Sequence, residues 1–208
     1  MAAGTILTFL NHRSITRISS PGIMLMVSLC LVSVDAYPQP WYVSTTGNDA
    51  AAGTITQPYK TIEKAVSMVQ PGQTIYIRGG TYDLVNTITI SKSGSSTALI
   101  SMFAYPGEKP VLAFSGQPLD GNNRGILHRG SYWHFRGISI TGAGDNGMRV
   151  DGGNNNIIEN CAFYRNRDSG LQLDNGASDN AVRNCDSYFN ADPPDDGDAD
   201  GFAGQLTV

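Results

Sequence analysis

The sequence predicts an all-β fold, a right-handed parallel β-helix, because short alternating segments recur at a constant spacing beyond residue 132. The recurring segments are about one turn of a solenoid apart, in steps of 23 and 24 residues. The first segment of each repeat is centred on Gly137, Asn160 and Asn184. The second segment of each repeat opens at Gly147, Gly170 and Gly201. A period of this length, with Gly or Asn at the corners, is typical of stacked β-strand coils.

Stacking of these coils predicts which side chains form the core. Neighbouring coils in such a fold lie about 4.8 Å apart, and no coil buries its apolar face alone. Residues at the same position in successive repeats therefore stack on one another. The predicted inward columns are Met148, Leu171 and Phe202, followed by Val150, Leu173 and Gly204. Asn160 and Asn184 are predicted to form a polar ladder at a corner, since Asn tolerates left-handed backbone conformations.

Cys161 and Cys185 occupy the same inward position in successive repeats. A stack of two free thiols in the core is the favoured interpretation, because buried Cys behaves as a small hydrophobic residue. A disulfide between them is the alternative, since an exported chain with two cysteines can form one.

The chain before the repeat predicts one helix and several short strands. Residues 61–69 place apolar side chains at 62, 65, 66 and 69, on one helix face, and Pro71-Gly72 ends the segment. This helix is predicted to cap the N-terminal end of the solenoid, where an open strand edge would invite aggregation. The predicted strands are 42–44, 74–78, 87–90 and 99–103, with Gly79-Gly80 breaking the second.

The first 36 residues predict a secretory signal peptide, so the β-helix domain is expected to span residues 37–208. Arg13 and Arg17 precede an apolar stretch at 23–32, and Val34-Asp35-Ala36 offers a cleavage site after Ala36. A buried N-terminal helix is the alternative. The apolar run is shorter than the roughly 20 residues that span a bilayer, so no membrane association is expected. No second cap is apparent before Val208, and we expect the solenoid to be incomplete at its C-terminal end.

Composition and charge exclude some classes of function. Apolar residues make up 40% of the chain, which is too many for a disordered protein. The net charge of −4 gives no case for nucleic acid, whose proteins normally have a basic surface.

The strongest candidate site is an acidic insertion in the third repeat, which is seven residues longer than the second over the same stretch. Residues 192–200 contain five Asp. Hard divalent cations take oxygen ligands, and Ca²⁺ takes six to eight of them. The predicted ligands are Asp200, which adjoins the strand that begins at Gly201, and Asp192 at the other end. A solvated acidic loop is the alternative interpretation.

A second candidate is the outward row formed by Asp151 and Asp174, with Arg149 and Gln172 beside them. Because stacked like charges repel, this row could bind a cation or a polar substrate. A merely solvated row is the more common case.

The remaining candidates are histidines and aromatic residues. His128 and His134 lie near no nucleophile motif and are assigned structural roles. Three aromatic side chains could stack on sugar rings, although core or capping roles are favoured: Trp41, Tyr132 and Trp133.

Two stretches resemble known secreted β-helix proteins. The run Gln70-Pro71-Gly72-Gln73-Thr74-Ile75-Tyr76-Ile77-Arg78-Gly79-Gly80 resembles the opening of polysaccharide-active members. The run Asn184-Cys185-Asp186-Ser187-Tyr188, continued by Ala199-Asp200-Gly201-Phe202, is similar to family-nine pectate lyases. The resemblance covers residues 41–208 and implies a pectin-lyase-like solenoid.

The resemblance implies Ca²⁺-dependent β-elimination of polygalacturonate by a secreted, extracellular, monomeric enzyme. It makes Asp200 a Ca²⁺ ligand, and it places the remaining ligands and a Lys base beyond Val208. This chain alone is therefore expected to be inactive. One departure is Gln205-Leu206, where relatives often have Lys-Leu. Two alternatives remain open: a non-catalytic β-helix that binds polysaccharide or serves as a surface protein, and a β-helix glycoside hydrolase with two carboxylates.

Overall fold

Three parallel sheets wind around one apolar core in the computed structural model, which describes residues 38–192 and 199–204. Sheet 1 consists of β1 (Trp41–Val43), β2 (Thr74–Ile77), β5 (Ile100–Ala104), β8 (Trp133–Arg136), β11 (Ile157–Glu159) and β14 (Ala181–Arg183). Sheet 2 consists of β3 (Gly80–Asp83), β6 (Pro110–Ala113), β9 (Ser139–Thr141), β12 (Ala162–Tyr164) and β15 (Asp186–Tyr188). Sheet 3 consists of β4 (Ile88–Ile90), β7 (Ile126–His128), β10 (Met148–Asp151), β13 (Leu171–Asp174) and β16 (Phe202–Gly204).

Each coil passes through sheets 1, 2 and 3 in that order, and the next coil pairs with it in parallel. The predicted inward columns are confirmed by the pairing register. Met148 lies opposite Leu171, which lies opposite Phe202, and the neighbouring column follows the same register. Phe202 belongs to the last described coil and remains 47% exposed.

Left-handed residues form the corners between sheets 1 and 2. Gly137, Asn160 and Asn184 have φ angles of 74°, 52° and 48°. This confirms the corner position predicted for the two asparagines, because Asn adopts this conformation more readily than most residues. The side chains of Asn160 and Asn184 are exposed, so the hydrogen-bonded ladder lies elsewhere.

The polar ladder is formed by buried asparagines at the other two corners. Asn156 accepts a hydrogen bond from the Trp133 N–H at Oδ1 (2.9 Å) and donates from Nδ2 to the Gly130 carbonyl (3.1 Å). The Asn156 N–H in turn donates to Oδ1 of Asn180 (2.9 Å). Asn166 and Asn190 repeat this arrangement between sheets 2 and 3. These bonds satisfy backbone groups that the corners leave without ladder partners.

The predicted capping helix is present as α1 (Ile62–Met68). Thr61 is its N-cap, and Thr61 Oγ1 accepts the Lys64 N–H at 3.2 Å. Asp49 fixes the entry to the helix by accepting from the Thr61 N–H (2.9 Å). Ile62 and Ala65 are fully buried, and the helix packs on β1, β2 and β4 at the N-terminal end of the solenoid.

The early coils are less regular than the later ones. The strands predicted at 42–44, 74–78, 87–90 and 99–103 correspond to β1, β2, β4 and β5, with bounds that differ by one or two residues. The predicted break at Gly79-Gly80 is confirmed, because β2 ends at Ile77 and Gly80, with φ of 129°, begins β3 in another sheet. β6 and β7 were not predicted, since the loops around them vary in length and hide the repeat.

The structure shows which of the candidate aromatic residues and cysteines belong to the core. Trp133 is fully buried and stacks on Phe135 at 5.4 Å, so it cannot serve as a sugar platform. Trp41 is partly buried against Tyr59, whereas Tyr132 is a left-handed turn residue. Cys161 is buried and Cys185 partly buried, and both are free thiols. Within the described residues no helix is long and apolar enough to cross a membrane; the predicted signal segment lies outside them.

We expect Asn156→Ala to lower the free energy of unfolding by about 2–6 kcal/mol, because it leaves two buried backbone groups unpaired at roughly 1–3 kcal/mol each. Those groups are the Trp133 N–H and the Gly130 carbonyl. Urea unfolding measures the loss. The matched control is Asn122→Ala on an exposed loop, which should change stability far less. Equal effects in both variants would contradict the ladder's role.

Candidate functional site

The acidic insertion connects β15 to β16, at a corner between sheets 2 and 3. Its middle residues, 193–198, lie outside the described part of the chain, so the structure gives no position for the acidic side chains predicted there. The two predicted ligands lie at its ends: Asp192 is partly buried, and Asp200 is exposed. Gln205-Leu206 also lies outside the described residues.

Both ends of the insertion are hydrogen-bonded to the solenoid. On one side, the Ala191 N–H donates to the Asn166 carbonyl (3.0 Å), immediately before Asp192. On the other side, Ser187 Oγ donates to the Gly201 carbonyl (2.7 Å), immediately after Asp200. The insertion therefore starts and ends at defined points of the solenoid.

Asp200 belongs to a column of residues that stack along this corner. Below it lie Ser169 and then Asn146, since the Gly170 N–H donates to the Asp200 carbonyl (3.0 Å) and the Gly147 N–H to the Ser169 carbonyl (3.0 Å). The Asp200 N–H also donates to Ser169 Oγ at 3.1 Å. One backbone bond with Gly170 and one bond to the Ser169 side chain thus fix the backbone of Asp200 against the coil below.

Gly170 is required by the close packing of this corner. A Cβ at Gly170 would lie 2.1 Å from Ser187 Oγ and 2.8 Å from the Gly201 carbonyl oxygen. Any side chain would therefore displace the backbone that holds Asp200. The same holds one coil below, where a Cβ at Gly147 would lie 2.5 Å from Asn166 Nδ2.

A group of partly buried polar side chains lies beneath Asp200. It was not predicted from the sequence. Arg124 Nε lies 3.2 Å from Asp145 Oδ2. Asp168, one coil above Asp145, accepts from Asn146 Nδ2 (2.7 Å) and from the Ser169 N–H (2.6 Å). We call Arg124, Asp145, Asp168, Ser169 and Asp200 the polar corner. Its sequence signal is an Asp two residues before the Gly in consecutive repeats, at 145 and 168.

The pKa of Asp145 is shifted by its surroundings in the polar corner. Burial raises the pKa of Asp145 to about 6; the charge of Asp168 raises it too, whereas the charge of Arg124 opposes the shift. Asp145 is therefore mostly ionised at pH 7 and becomes mostly protonated only below about pH 6.

The donor chemistry of the insertion suits a hard cation, but the described residues do not complete a site. Asp192 and Asp200 supply carboxylate oxygens, which Ca²⁺ prefers. No group of three or more His, Cys, Asp or Glu side chains in residues 38–192 and 199–204 could hold a metal ion. Further oxygens would have to come from outside the described residues.

The outward row on sheet 3 is occupied by ion pairs. Asp151 accepts from Arg129 Nε at 2.8 Å, and Asp174 pairs with Arg149. A hydrogen bond from Asn175, together with Arg129, lowers the pKa of Asp151. Each carboxylate thus has a basic partner, which argues against a cation site in this row.

The histidines have the structural surroundings expected of them. His128 is fully buried and packs edge-on against Trp133 and Phe135. Burial lowers its pKa to about 4, so it is neutral at pH 7. His134 Nε2 lies 3.0 Å from Glu159 Oε2 on the outer face of sheet 1.

Comparison with known proteins places the chain in a family. Residues 41–208 match the family model described as the Pel9A-like right-handed β-helix region. The chain belongs to the Pel9A-like β-helix family. The predicted right-handed parallel β-helix and the resemblance to family-nine pectate lyases are confirmed by this match.

Relatives and a solved structure support the same assignment. The chain is 44% identical over 158 residues to Pectate lyase L of Paenibacillus polymyxa strain SC2, covering 71% of this chain and 35% of that protein. It is 40% identical over 174 residues to Pectate lyase PEL9 of Emericella nidulans, covering 78% and 42%. The crystal structure of pectate lyase Pel9A superposes with a TM-score of 0.73 at 34% identity, covering 81% and 46%. The chain thus spans less than half the length of these relatives.

We expect Asp145→Asn to change how stability depends on pH. In the folded chain Asp145 binds its proton more tightly than in the unfolded chain, so its contribution to the free energy of unfolding falls as pH rises from about 4 to about 6. His128 acts oppositely, because its lowered pKa costs stability as pH falls from 6.5 to about 4.

As pH rises from about 4 to about 6, the free energy of unfolding of the Asp145→Asn variant should therefore increase relative to that of the unsubstituted chain. Urea unfolding at several pH values measures this difference. Asp186→Asn, which removes an exposed carboxylate, controls for the change in charge. A constant difference between the Asp145 variant and the unsubstituted chain would contradict the raised pKa.

Proposed function

We propose that the protein to which this β-helix belongs is a secreted, extracellular, Ca²⁺-dependent lyase that cleaves polygalacturonate by β-elimination as a monomer. Membership in the Pel9A-like family and the names of the relatives support a polysaccharide lyase. The observation that favours a site on this chain is the position of Asp200. It is an exposed carboxylate whose backbone is held in register by Ser169 and Gly170.

In this proposal Asp200 and Asp192 would hold Ca²⁺ together with oxygens from outside the described residues. When bound, the ion would neutralise the uronate carboxylate and acidify the neighbouring C5 proton. The described chain contributes by fixing the backbone positions at which Asp192 and Asp200 leave and rejoin the solenoid. Asn166 and Ser187 set the two ends of the insertion, so less conformational entropy is lost when the ligands converge.

The elimination itself needs a base that takes the C5 proton. The electrons of that C–H bond form the C4–C5 double bond, and the glycosidic oxygen leaves from C4. The lysines of the described chain precede β7 and lie on early coils, several coils away from Asp200: Lys60, Lys64, Lys92 and Lys109. We therefore assign no catalytic base among the described residues and expect a Lys from elsewhere, with a pKa low enough to be neutral.

Two other functions predict different products. A β-helix glycoside hydrolase would release reducing ends without an unsaturated uronate. A non-catalytic β-helix would bind the polymer without cleaving it. Asp145 and Asp168 are both partly buried at this corner, where Asp145 lies beside Arg124 and Asp168 accepts from Asn146. This placement favours a structural role for them over an acid and base pair.

We expect the 208-residue chain alone to produce no unsaturated uronate from polygalacturonate, with or without Ca²⁺. A chimera that joins this chain after Gly204 to the C-terminal remainder of Paenibacillus polymyxa Pectate lyase L should regain the activity. The readout is the ultraviolet absorbance of the unsaturated product, and a chelator should abolish it. The intact relative is the positive control.

In that chimera Asp200→Asn should reduce the rate at least about tenfold, because even outer-shell partners of a metal cost roughly 10–100-fold when removed. Asp186→Asn, an exposed carboxylate on the same coil, should change the rate less than twofold. A folded chimera that releases reducing ends without the absorbance would overturn the lyase in favour of a hydrolase. Equal loss in both variants would remove Asp200 from the site.

A further inference from the structure

A groove of about 470 Å³ crosses the outer face of sheet 2 and reaches the corner between sheets 2 and 3, one coil below the coil that carries the acidic insertion. Its floor consists of small residues, Ala113, Ser115 and Gly142, which leave the face concave. Tyr164, Arg165 and Arg167 line one side. A volume of this size is within the roughly 300–1,000 Å³ of small-ligand sites. We call it the arginine groove.

The two arginines of this groove have no acidic partner among the residues that the structure describes. Neither Arg165 nor Arg167 forms an ion pair with any described carboxylate, and no Asp or Glu is among the described residues that line the groove. Of the other six described arginines, four have such partners, Arg78, Arg124, Arg129 and Arg149, whereas Arg136 and Arg183 do not. A guanidinium binds a carboxylate through two parallel hydrogen bonds, so an unpaired pair of them favours an anionic ligand.

Arg165 is placed in the groove by an unfavourable backbone conformation. Its φ is 55°, whereas the equivalent residue one coil below is Gly142, with φ of 72°. A left-handed conformation costs a residue with a side chain roughly 1–2 kcal/mol. At Gly142 a Cβ would lie 2.4 Å from Ser115 Oγ, so the coil below offers no room for a side chain. Phe189, the equivalent residue one coil above, is also left-handed with φ of 57°, so this corner requires the conformation in successive coils.

Tyr164 provides a fixed apolar surface beside the arginines. It lies on the outward face of β12, and its ring stacks on Tyr188 at 5.0 Å with an interplanar angle of 4°. A ring held in this way can pack against the C–H groups of a sugar while its hydroxyl stays in water. Thr141 adds a neutral hydroxyl to the lining, whereas the amide of Gln117 is bonded to the Arg124 carbonyl and the Gly144 N–H.

We propose that the arginine groove binds an oligosaccharide of uronate units, as a second site that holds the polymer without cleaving it. The guanidinium groups of Arg165 and Arg167 would pair with carboxylates, and Tyr164 would pack on a sugar ring. The choice of uronate as the ligand rests on the proposed function. The binding itself needs neither Ca²⁺ nor a catalytic base, because the arginines supply the positive charge.

The test measures binding of a galacturonate hexamer to the 208-residue chain by calorimetry, with chelator present so that no metal contributes. Arg165→Gln with Arg167→Gln should weaken binding at least tenfold. Arg165→Lys with Arg167→Lys should weaken it less, since charge remains while the bidentate geometry is lost. The matched control is Lys109→Gln with Arg183→Gln, which removes two positive charges that do not line the groove and should change affinity less than twofold.

A measurement on the unsubstituted chain does not depend on any variant. Amide chemical shifts of Ala113 and Gly142 should move when the hexamer is added, and the fully methyl-esterified hexamer should bind at least tenfold more weakly. No binding by the unsubstituted chain, or equal loss in the control variant, would overturn the proposal. A single-stranded oligonucleotide of similar charge that binds as tightly as the hexamer would also overturn it.

The outcome can be separated from that of the proposed function. The chimera assay requires Ca²⁺ and measures product, whereas this assay excludes metal and measures binding. Elimination without binding at the groove refutes the second site alone. Binding at the groove without elimination refutes the lyase and leaves the groove as the polysaccharide-binding surface of a non-catalytic β-helix.

Discussion

The register between successive coils is the constraint on which the rest of this structure depends. Parallel pairing fixes each residue at the same height and on the same face as its equivalent one coil away, as with Met148, Leu171 and Phe202. No coil could bury its apolar face alone, so the core exists only because the coils are stacked in register. The buried asparagines extend this constraint to the corners, where strand pairing ends and backbone groups would otherwise remain unsatisfied.

The same stacking concentrates charge, and the molecule accommodates that charge in different ways. On the outer face of sheet 3, each stacked carboxylate has an arginine partner. In the polar corner, Arg124 pairs with Asp145, and burial raises the pKa of Asp145 to about 6. On the outer face of sheet 2, Arg165 and Arg167 remain without carboxylate partners among the described residues. When a repeat stacks side chains of the same charge, the repulsion between them must be offset by oppositely charged side chains, bound protons or ligands.

Membership in the Pel9A-like family gives these features a common setting, since it spans residues 41–208 and includes both the regular coils and the insertion. The coils form a rigid scaffold, and the proposed Ca²⁺ ligands lie on a loop that leaves it. Functional residues are commonly found on loops of this kind. Asp200 illustrates the boundary between the two. Its carboxylate belongs to the insertion, whereas its backbone belongs to the corner column through Ser169 and Gly170.

The sequence by itself determined the fold class, the inward columns, the capping helix and the family, because each of these follows from local pattern. Periodic Gly and Asn residues, alternating apolar positions and helical spacing are all visible in a single chain. It also placed Asp200 beside a strand. The predicted polar ladder was assigned to the wrong asparagines, because residues at adjacent corners have similar sequence signals but different burial.

Only the tertiary structure decided what each polar residue contacts. Arg124 and Asp145 are 21 residues apart and Asp145 and Asp168 are 23 apart, so their pairing depends on the stacking of three coils. The pairing of Asp151 and Asp174 with arginines, and the absence of such partners at Arg165 and Arg167 within the described chain, likewise depend on contacts between coils. Local sequence encodes backbone conformation and the face a side chain occupies, but the partner of a charge is set by residues one coil away.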